Sequence, residues 1–203
     1  MGVLRIGIPV AITMSLEAWA FQMATLMAGW LGAATLAAHT VVMSVISFLF
    51  MVPLGISIGA EDDAGARRAS TVAFVMGAGV MLFSAALLFG ARNQLALLYT
   101  AEPEVVAIAA LIFPVAAAFQ LFDGVQVVGC GILRGMGRTQ AAAGSNLVGY
   151  YVLALPIAWW LAFERQAGVT GVWWGLAAGL AAVALFLVIW VYRAGPARRV
   201  ASV

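Results

Sequence analysis

The chain has 203 residues, of which 65% are hydrophobic and only 9% are charged, and its mean hydropathy is +1.08. Soluble globular domains are about 45–50% apolar and about 25% charged, so a water-soluble core of this size could not cover so much apolar surface. Lipid is therefore the expected solvent, and the small, scattered net charge of +2 excludes a nucleic-acid-binding function.

Six segments are long and apolar enough to cross a membrane, which takes about 20 residues. The sequence thus predicts an all-α integral membrane protein, a six-transmembrane-helix bundle over 1–193, followed by a disordered cytoplasmic tail over 194–203. The connections carry most of the charge and leave no room for a soluble domain. The predicted spans are 6–29, 33–58, 69–91, 105–133, 141–163 and 171–193.

The first span contains an acidic residue, Glu17, with Thr13 one turn before it. An ionisable side chain at mid-membrane costs about 2.5–3.5 kcal/mol on insertion scales, so it tends to face a cavity or a partner. The second span contains His39. A single histidine in such a helix favours a contact between helices over a proton relay.

The segment 93–100, NQLALLYT, follows the third span and is predicted to lie along the membrane interface. The fourth span contains the other intramembrane acid, Asp123. Gln120 and Gln126 lie three residues either side of it, on a helical spacing that brings them near one face. The fifth span adds three polar candidates for that face, Asn146, Tyr150 and Tyr151.

Arginine distribution predicts the orientation, because basic residues are enriched in cytoplasmic connections. Eight of the ten arginines fall on the face that would carry both termini and the second and fourth connections. Both termini are therefore expected in the cytoplasm. Four aromatic residues then fall near the outer boundary, where aromatic belts form: Trp30, Tyr99, Trp173 and Trp174.

The two intramembrane carboxylates are predicted to lie at one depth. Glu17 is 12 residues after Arg5, and Asp123 is 11 residues before Arg134. At about 1.5 Å per residue, each carboxylate is roughly 16–18 Å from the arginine on its own helix. If both helices face one cavity, the pair could share a proton or bind a sodium ion, since hard cations prefer oxygen ligands. The alternative is that each carboxylate hydrogen-bonds to a neighbouring helix and only stabilises the bundle.

Other chemistries have no support in the sequence. Cys130 is the only cysteine and His39 the only histidine, so an internal disulfide and the usual zinc or haem spacings are excluded. There is no GxxxxGK[ST] loop for ATP hydrolysis, and no catalytic constellation is recognised. The protein is therefore not expected to be an enzyme.

Five ordered motifs resemble the second half of multidrug and toxic compound extrusion (MATE) transporters, and in particular the NorM-like branch. The match extends over nearly the whole chain, and the fourth motif is the most specific. The motifs are GWLGAATLAAHT (29–40), FLFMVPLGISIG (48–59), GARRAS (65–70), FDGVQVVGCGILRGMGRT (122–139) and GVWWGL (171–176).

The resemblance implies one C-terminal six-helix lobe of a twelve-helix carrier in the bacterial inner membrane. Such carriers export cationic amphipathic drugs in exchange for Na⁺ or H⁺, without any other cofactor. Glu17 and Asp123 match the family's cation site, with Thr13, Gln120, Gln126, Asn146 and Tyr150 as supporting polar residues. The implied partners are small cationic organic substrates, membrane lipid, and a second copy of the chain or a separate first lobe.

Three departures from the family pattern stand out. Only one lobe is present, and the connection near 59–65 is about ten residues shorter than usual. Phe119 occupies the position, one turn before Asp123, where NorM-like sites often have a tyrosine, which removes an oxygen ligand and bears on sodium selectivity. Two alternatives therefore stay open: a truncated or structural membrane protein that transports nothing, and a flippase of lipid-linked oligosaccharides.

Overall fold

The computed structural model describes residues 2–62 and 67–194, and side chains over 7–58 and 70–193. The helices are named in chain order for the sections that follow. They are α1 (Gly2–Trp30), α2 (Ala33–Asp62), α3 (Arg67–Gly90), α4 (Arg92–Leu97), α5 (Pro103–Gly135), α6 (Thr139–Glu164) and α7 (Gly168–Ala194).

All of these helices except the short α4 are long and apolar enough to cross a membrane, so the predicted six-helix bundle is confirmed for the described residues. The first span, predicted over 6–29, is observed at Gly7–Trp30, and the fourth, predicted over 105–133, at Pro103–Gly135. The helix α4 forms within the segment predicted to lie at the interface. The predicted disordered tail lies, apart from Ala194, outside the described residues.

Helix α5 is the centre of the bundle and packs against α2, α3 and α7, whereas α1 lies at its edge against α2 and α6. Buried residues occur all round α5, which is typical of a helix that is apolar on every side and enclosed by others. Association in lipid depends on close van der Waals packing and hydrogen bonds between helices. The lining of the site described below comes from the edge helix α1, from α2 and from the central α5.

The closest approach of α2 to α5 occurs at Ser57 and Gly131. A Cβ atom at Gly131 would lie 2.5 Å from the backbone oxygen of Ser57, so only glycine fits here. The Ser57 hydroxyl donates to the carbonyl oxygen of Val127 at 2.9 Å, and the Arg134 guanidinium donates to the same hydroxyl at 2.9 Å. This crossing ties α2 to α5 on the side of the carboxylates where the sequence places most arginines.

Helix α6 departs from regular α geometry. It has π-helical turns over Leu147–Ala154 and Trp160–Glu164, separated by an α-helical segment that contains Pro156. Proline has no N–H group, so it cannot donate the i→i−4 bond that an α-helix requires. The residue before the proline, Leu155, donates its backbone N–H to the oxygen of Tyr150, five residues back, which is the π-helical spacing. The sequence predicted one span over 141–163 here, without the π-helical turns.

Trp173 corrects one expectation. It was predicted for the outer aromatic belt, but its side chain is fully buried, and its ring lies 5.6 Å from that of His39 and 5.8 Å from that of Phe119. Its neighbour Trp174 is exposed instead. Successive residues of an α-helix point about 100° apart, which lets Trp173 face the bundle while Trp174 faces outwards.

We expect Gly131→Ala to destabilise the protein by about 1–3 kcal/mol, the usual range for overpacking, because the added methyl group would press on the α2 backbone. The measurement is the melting temperature of the purified protein in detergent. The matched control is Gly79→Ala on α3, where a Cβ meets nothing within 4 Å. That variant should be unchanged or slightly stabilised, and an equal response of the two variants would contradict the proposed tight crossing.

Candidate functional site

A cavity of about 200 Å³ lies between α1, α2 and α5, and both intramembrane carboxylates, Glu17 and Asp123, are on its wall. Ser47 of α2 is the other polar residue of the wall. The rest of the lining is apolar or aromatic and consists of Phe21, Met43, Ile46, Phe50, Met51 and Phe119. The carboxylates therefore face a space with few groups that could solvate them.

Asp123 is only 4% exposed, whereas Glu17 is half-buried at the edge helix. The two side chains are close enough to interact electrostatically. Two negative charges repel each other strongly in a low-dielectric environment. A cation or a shared proton in the cavity would offset that repulsion, so the pair is suited to hold one positive charge.

A hydrogen-bond network connects this pair to α6. The amide nitrogen of Gln126 donates to Asn146 Oδ1 at 3.3 Å and lies 3.8 Å from the sulfur of Cys130. The side chain of Gln126 also lies close enough to the Glu17 carboxylate to interact with it. One glutamine of α5 thus links a carboxylate of α1 to an amide of α6.

Three buried polar atoms next to the carboxylates have no hydrogen-bond partner: Gln126 Oε1, Asn146 Nδ2 and the hydroxyl of Tyr150. Tyr150 is fully buried and lies within electrostatic reach of both Glu17 and Asp123. Buried polar atoms are almost always paired, with protein or with ordered water. These three atoms are therefore candidates for contact with water or a ligand.

The π-helical part of α6 also fixes the position of Glu17. The Tyr151 hydroxyl donates to the carbonyl oxygen of Leu16, the residue before Glu17, at 3.1 Å. The adjacent Tyr150 ring packs against Phe21 of α1, with centroids 6.1 Å apart. π-helical turns occur frequently at functional sites. Here one such turn directs two successive tyrosines towards the segment of α1 that carries the carboxylate.

The predicted polar residues do not all meet. The structure brings Gln126, Asn146 and Tyr150 close to the two carboxylates, although only Glu17 and Asp123 are on the cavity wall. Two other candidates are elsewhere: the Thr13 hydroxyl donates to the carbonyl of Pro9 on its own helix at 2.8 Å, and Gln120 is fully buried but absent from the cavity wall, with both amide atoms unpaired.

His39 forms the contact between helices that its sequence context favoured. Its Nε2 atom lies 3.1 Å from the Thr25 hydroxyl oxygen, and the single hydrogen of that hydroxyl is donated to the carbonyl of Phe21 at 2.9 Å. The histidine must therefore donate through Nε2, and its Nδ1 has no partner. This bond joins α1 to α2 next to the cavity.

The sequence did not indicate that Ser47 and the apolar side chains belong to the cavity wall. Phe21 packs edge-to-face on Phe119, with ring centroids 5.8 Å apart, and both rings enclose the carboxylates. Aromatic and methionine residues at helical spacing indicate ordinary packing as readily as a binding wall. No residue pattern in α2 would have distinguished these side chains from its other apolar ones.

Six apolar helices, three of which enclose a cavity with two intramembrane carboxylates, define a multi-pass membrane protein. The family model described as MatE matches residues 9–160, more than half of the chain. The chain belongs to the MatE family, which confirms the resemblance seen in its motifs.

Individual relatives agree with this assignment. The chain is 41% identical to the multidrug resistance protein NorM of Burkholderia vietnamiensis, over 90% of this chain and 43% of that protein. It is 32% identical to multidrug and toxin extrusion protein 1 of Xenopus tropicalis, over 94% of this chain and 35% of that protein. The crystal structure of the eukaryotic MATE transporter AtDTX14 superimposes with a TM-score of 0.87 at 30% identity, over 94% of this chain and 45% of that one. The chain thus spans less than half the length of these relatives.

We expect Gln126→Leu to lower the melting temperature, because it removes the bond to Asn146 and the interaction with Glu17 and leaves buried polar groups unsatisfied, which costs about 1–3 kcal/mol. The control is Gln22→Leu on the exposed side of α1. That change replaces a lipid-facing amide by an apolar side chain and should not destabilise the protein. A Gln126 variant as stable as its control would contradict the network.

Proposed function

We propose that the chain forms one lobe of a cation-coupled antiporter that exports cationic amphipathic drugs or toxic organic compounds. The observation that carries the proposal is the presence of Glu17 and Asp123 on the wall of one cavity inside a membrane-embedded bundle. The printed names of the relatives, multidrug resistance protein NorM and multidrug and toxin extrusion protein 1, support the same class of cargo.

Coupling follows from competition for one negative site. A coupling ion neutralises Glu17 and Asp123. A cationic drug is attracted to the same carboxylates only while no coupling ion is bound there. Each ligand therefore lowers the affinity for the other, and this thermodynamic coupling is reciprocal. Exchange results if the two ligands also favour different conformations of the bundle, because a ligand shifts an equilibrium only by its differential affinity.

The coupling ion is Na⁺ or H⁺. Two carboxylates, the amide oxygen of Gln126 and the hydroxyl of Tyr150 are oxygen donors of the kind that hard cations prefer. Phe119 adds no oxygen, so the Tyr150 hydroxyl is the phenolic donor that this chain offers. A proton would need only the two carboxylates.

Conformational change is expected in α5, which contains Pro114 within the helix and Gly124 and Gly129 near Asp123. An internal proline removes a backbone bond and allows a helix to bend. We propose that a second six-helix lobe lies across the substrate pathway, and that both termini of this lobe are in the cytoplasm of a bacterial cell. The arginine distribution supports this orientation.

Asp123→Asn and Glu17→Gln should reduce coupled efflux to background, because each removes one of two charges needed to hold the coupling cation. The measurement is efflux of the planar cation ethidium from proteoliposomes under an imposed Na⁺ or H⁺ gradient. It is made with this chain alone and with the chain fused to the first half of the Burkholderia vietnamiensis relative. Glu104→Gln, an exposed change in the first turn of α5, is the control and should retain activity.

Unchanged efflux in the Asp123 variant would contradict the proposed coupling site. No efflux from either wild-type form, with normal membrane insertion, would favour the non-transporting alternative. Export of a lipid-linked oligosaccharide but not of ethidium would favour the flippase.

Tyr150→Phe separates ion binding from folding, because it removes one oxygen and keeps the ring on Phe21. Without Na⁺ the variant should be as stable as the wild type or more so, since an unpaired buried hydroxyl is lost. If Na⁺ is the coupling ion, the rise in melting temperature on adding Na⁺ in place of choline should shrink. An unaltered Na⁺ response would show that this hydroxyl is not a ligand, and no response in the wild type would point to H⁺.

A further inference from the structure

A second cavity, of about 420 Å³, is a groove between α6 and α7, and it is separate from the carboxylate pair. The α6 side runs from Ala141 to Leu153, and the α7 side from Ala182 to Phe186. Ser145 is the only hydroxyl on its wall, and it donates to the carbonyl of Ala142 at 2.9 Å. The groove therefore presents an almost wholly apolar surface, and several of its residues are exposed at the outside of the bundle.

The length of the groove matches one leaflet of a bilayer. Ala141 and Leu153 are 12 residues apart, which would be about 18 Å at the α-helical rise and is somewhat shorter here because the residues from Leu147 are π-helical. Half of a hydrocarbon core of about 30 Å is about 15 Å. The groove thus begins near the arginine-bearing end of α6 and ends close to the middle of the membrane, as an acyl chain of that leaflet does.

The mouth of the groove is cationic. Arg138 is three residues before Ala141, and its guanidinium lies 4.9 Å from the ring centroid of Trp190. Trp190 is one turn after Phe186, and Arg193 follows three residues later as an exposed residue in the last turn of α7. The residues that line the groove include no acidic side chain to neutralise these two arginines.

We propose that this groove binds one anionic phospholipid, with an acyl chain between α6 and α7 and the phosphate at Arg138 and Arg193. Basic pockets between transmembrane helices are suited to anionic headgroups. An indole such as that of Trp190 lies favourably at the level where the headgroup meets the acyl chain. The apolar walls, the one-leaflet length and the positive mouth each match a different part of the same molecule.

The groove can be filled without disturbing the fold. A Cβ atom at Gly144 would meet nothing within 4 Å, so a larger side chain there extends into the groove. Gly149, by contrast, faces Val183 closely and cannot be used. Gly79 on α3 is a matched control, because it is exposed and open in the same way but lies outside the groove.

The experiment is native mass spectrometry of the purified protein with added phosphatidylglycerol or phosphatidylcholine of identical acyl chains. The wild type and Gly79→Leu should retain phosphatidylglycerol preferentially. In Arg138→Gln the preference for phosphatidylglycerol over phosphatidylcholine should fall roughly fivefold, which is the change expected for one arginine near an anionic headgroup. Gly144→Leu should lose retention of both lipids.

Equal retention of the two lipids by the wild type, or unchanged retention in Gly144→Leu, would overturn the proposal. An unchanged preference in Arg138→Gln would overturn the assignment of the headgroup. If Gly144→Leu fails to fold, Ala182→Leu replaces it, because this change fills the groove from the α7 wall. Ala182→Leu should likewise lose retention of both lipids. If the wild type dimerises, Gly144→Leu abolishes the dimer and lipid retention does not change, the groove binds a helix of a second copy and not a lipid.

Discussion

The repulsion between Glu17 and Asp123 inside a bundle surrounded by lipid is the constraint on which the site depends. Two carboxylates in a low-dielectric cavity need a positive charge or a proton between them, and the surrounding protein offers few solvating groups. The cavity wall adds only Ser47 as a further polar residue. An arrangement that is unfavourable when empty is well suited to bind and release one cation, which is what a coupling site requires.

Helix α5 connects this site to the rest of the protein. Asp123 faces the carboxylate cavity and Gln126 bonds to Asn146, while Gly131, just over two turns after Asp123, receives the backbone of α2. Arg134 then extends from the same helix to Ser57. Because one helix carries the charge, the network and the tight crossing, a change of charge at Asp123 can be transmitted to the packing of α2 without an intermediate element.

Helix α6 has two independent roles on its two sides. Its π-helical turn directs Tyr150 and Tyr151 towards α1, where one hydroxyl is unpaired near the carboxylates and the other holds the backbone at Leu16. Its opposite side forms one wall of the apolar groove. A ligand in the groove would therefore contact the same helix that holds the backbone next to Glu17.

The sequence by itself determined the six spans, the family and the depth of the two carboxylates, because hydropathy and a fixed rise per residue define positions along a helix axis. It could not determine rotation about that axis, since helices that are apolar on every side carry little record of which face is inside. Only the tertiary structure decided that Thr13 and Gln120 lie away from the cavity, that Trp173 is buried while Trp174 is exposed, and that α6 changes to π geometry. Those outcomes depend on which neighbours each helix meets. Lipid is as apolar as the side chains and does not favour one face over another, so packing and hydrogen bonds between helices determine the orientation.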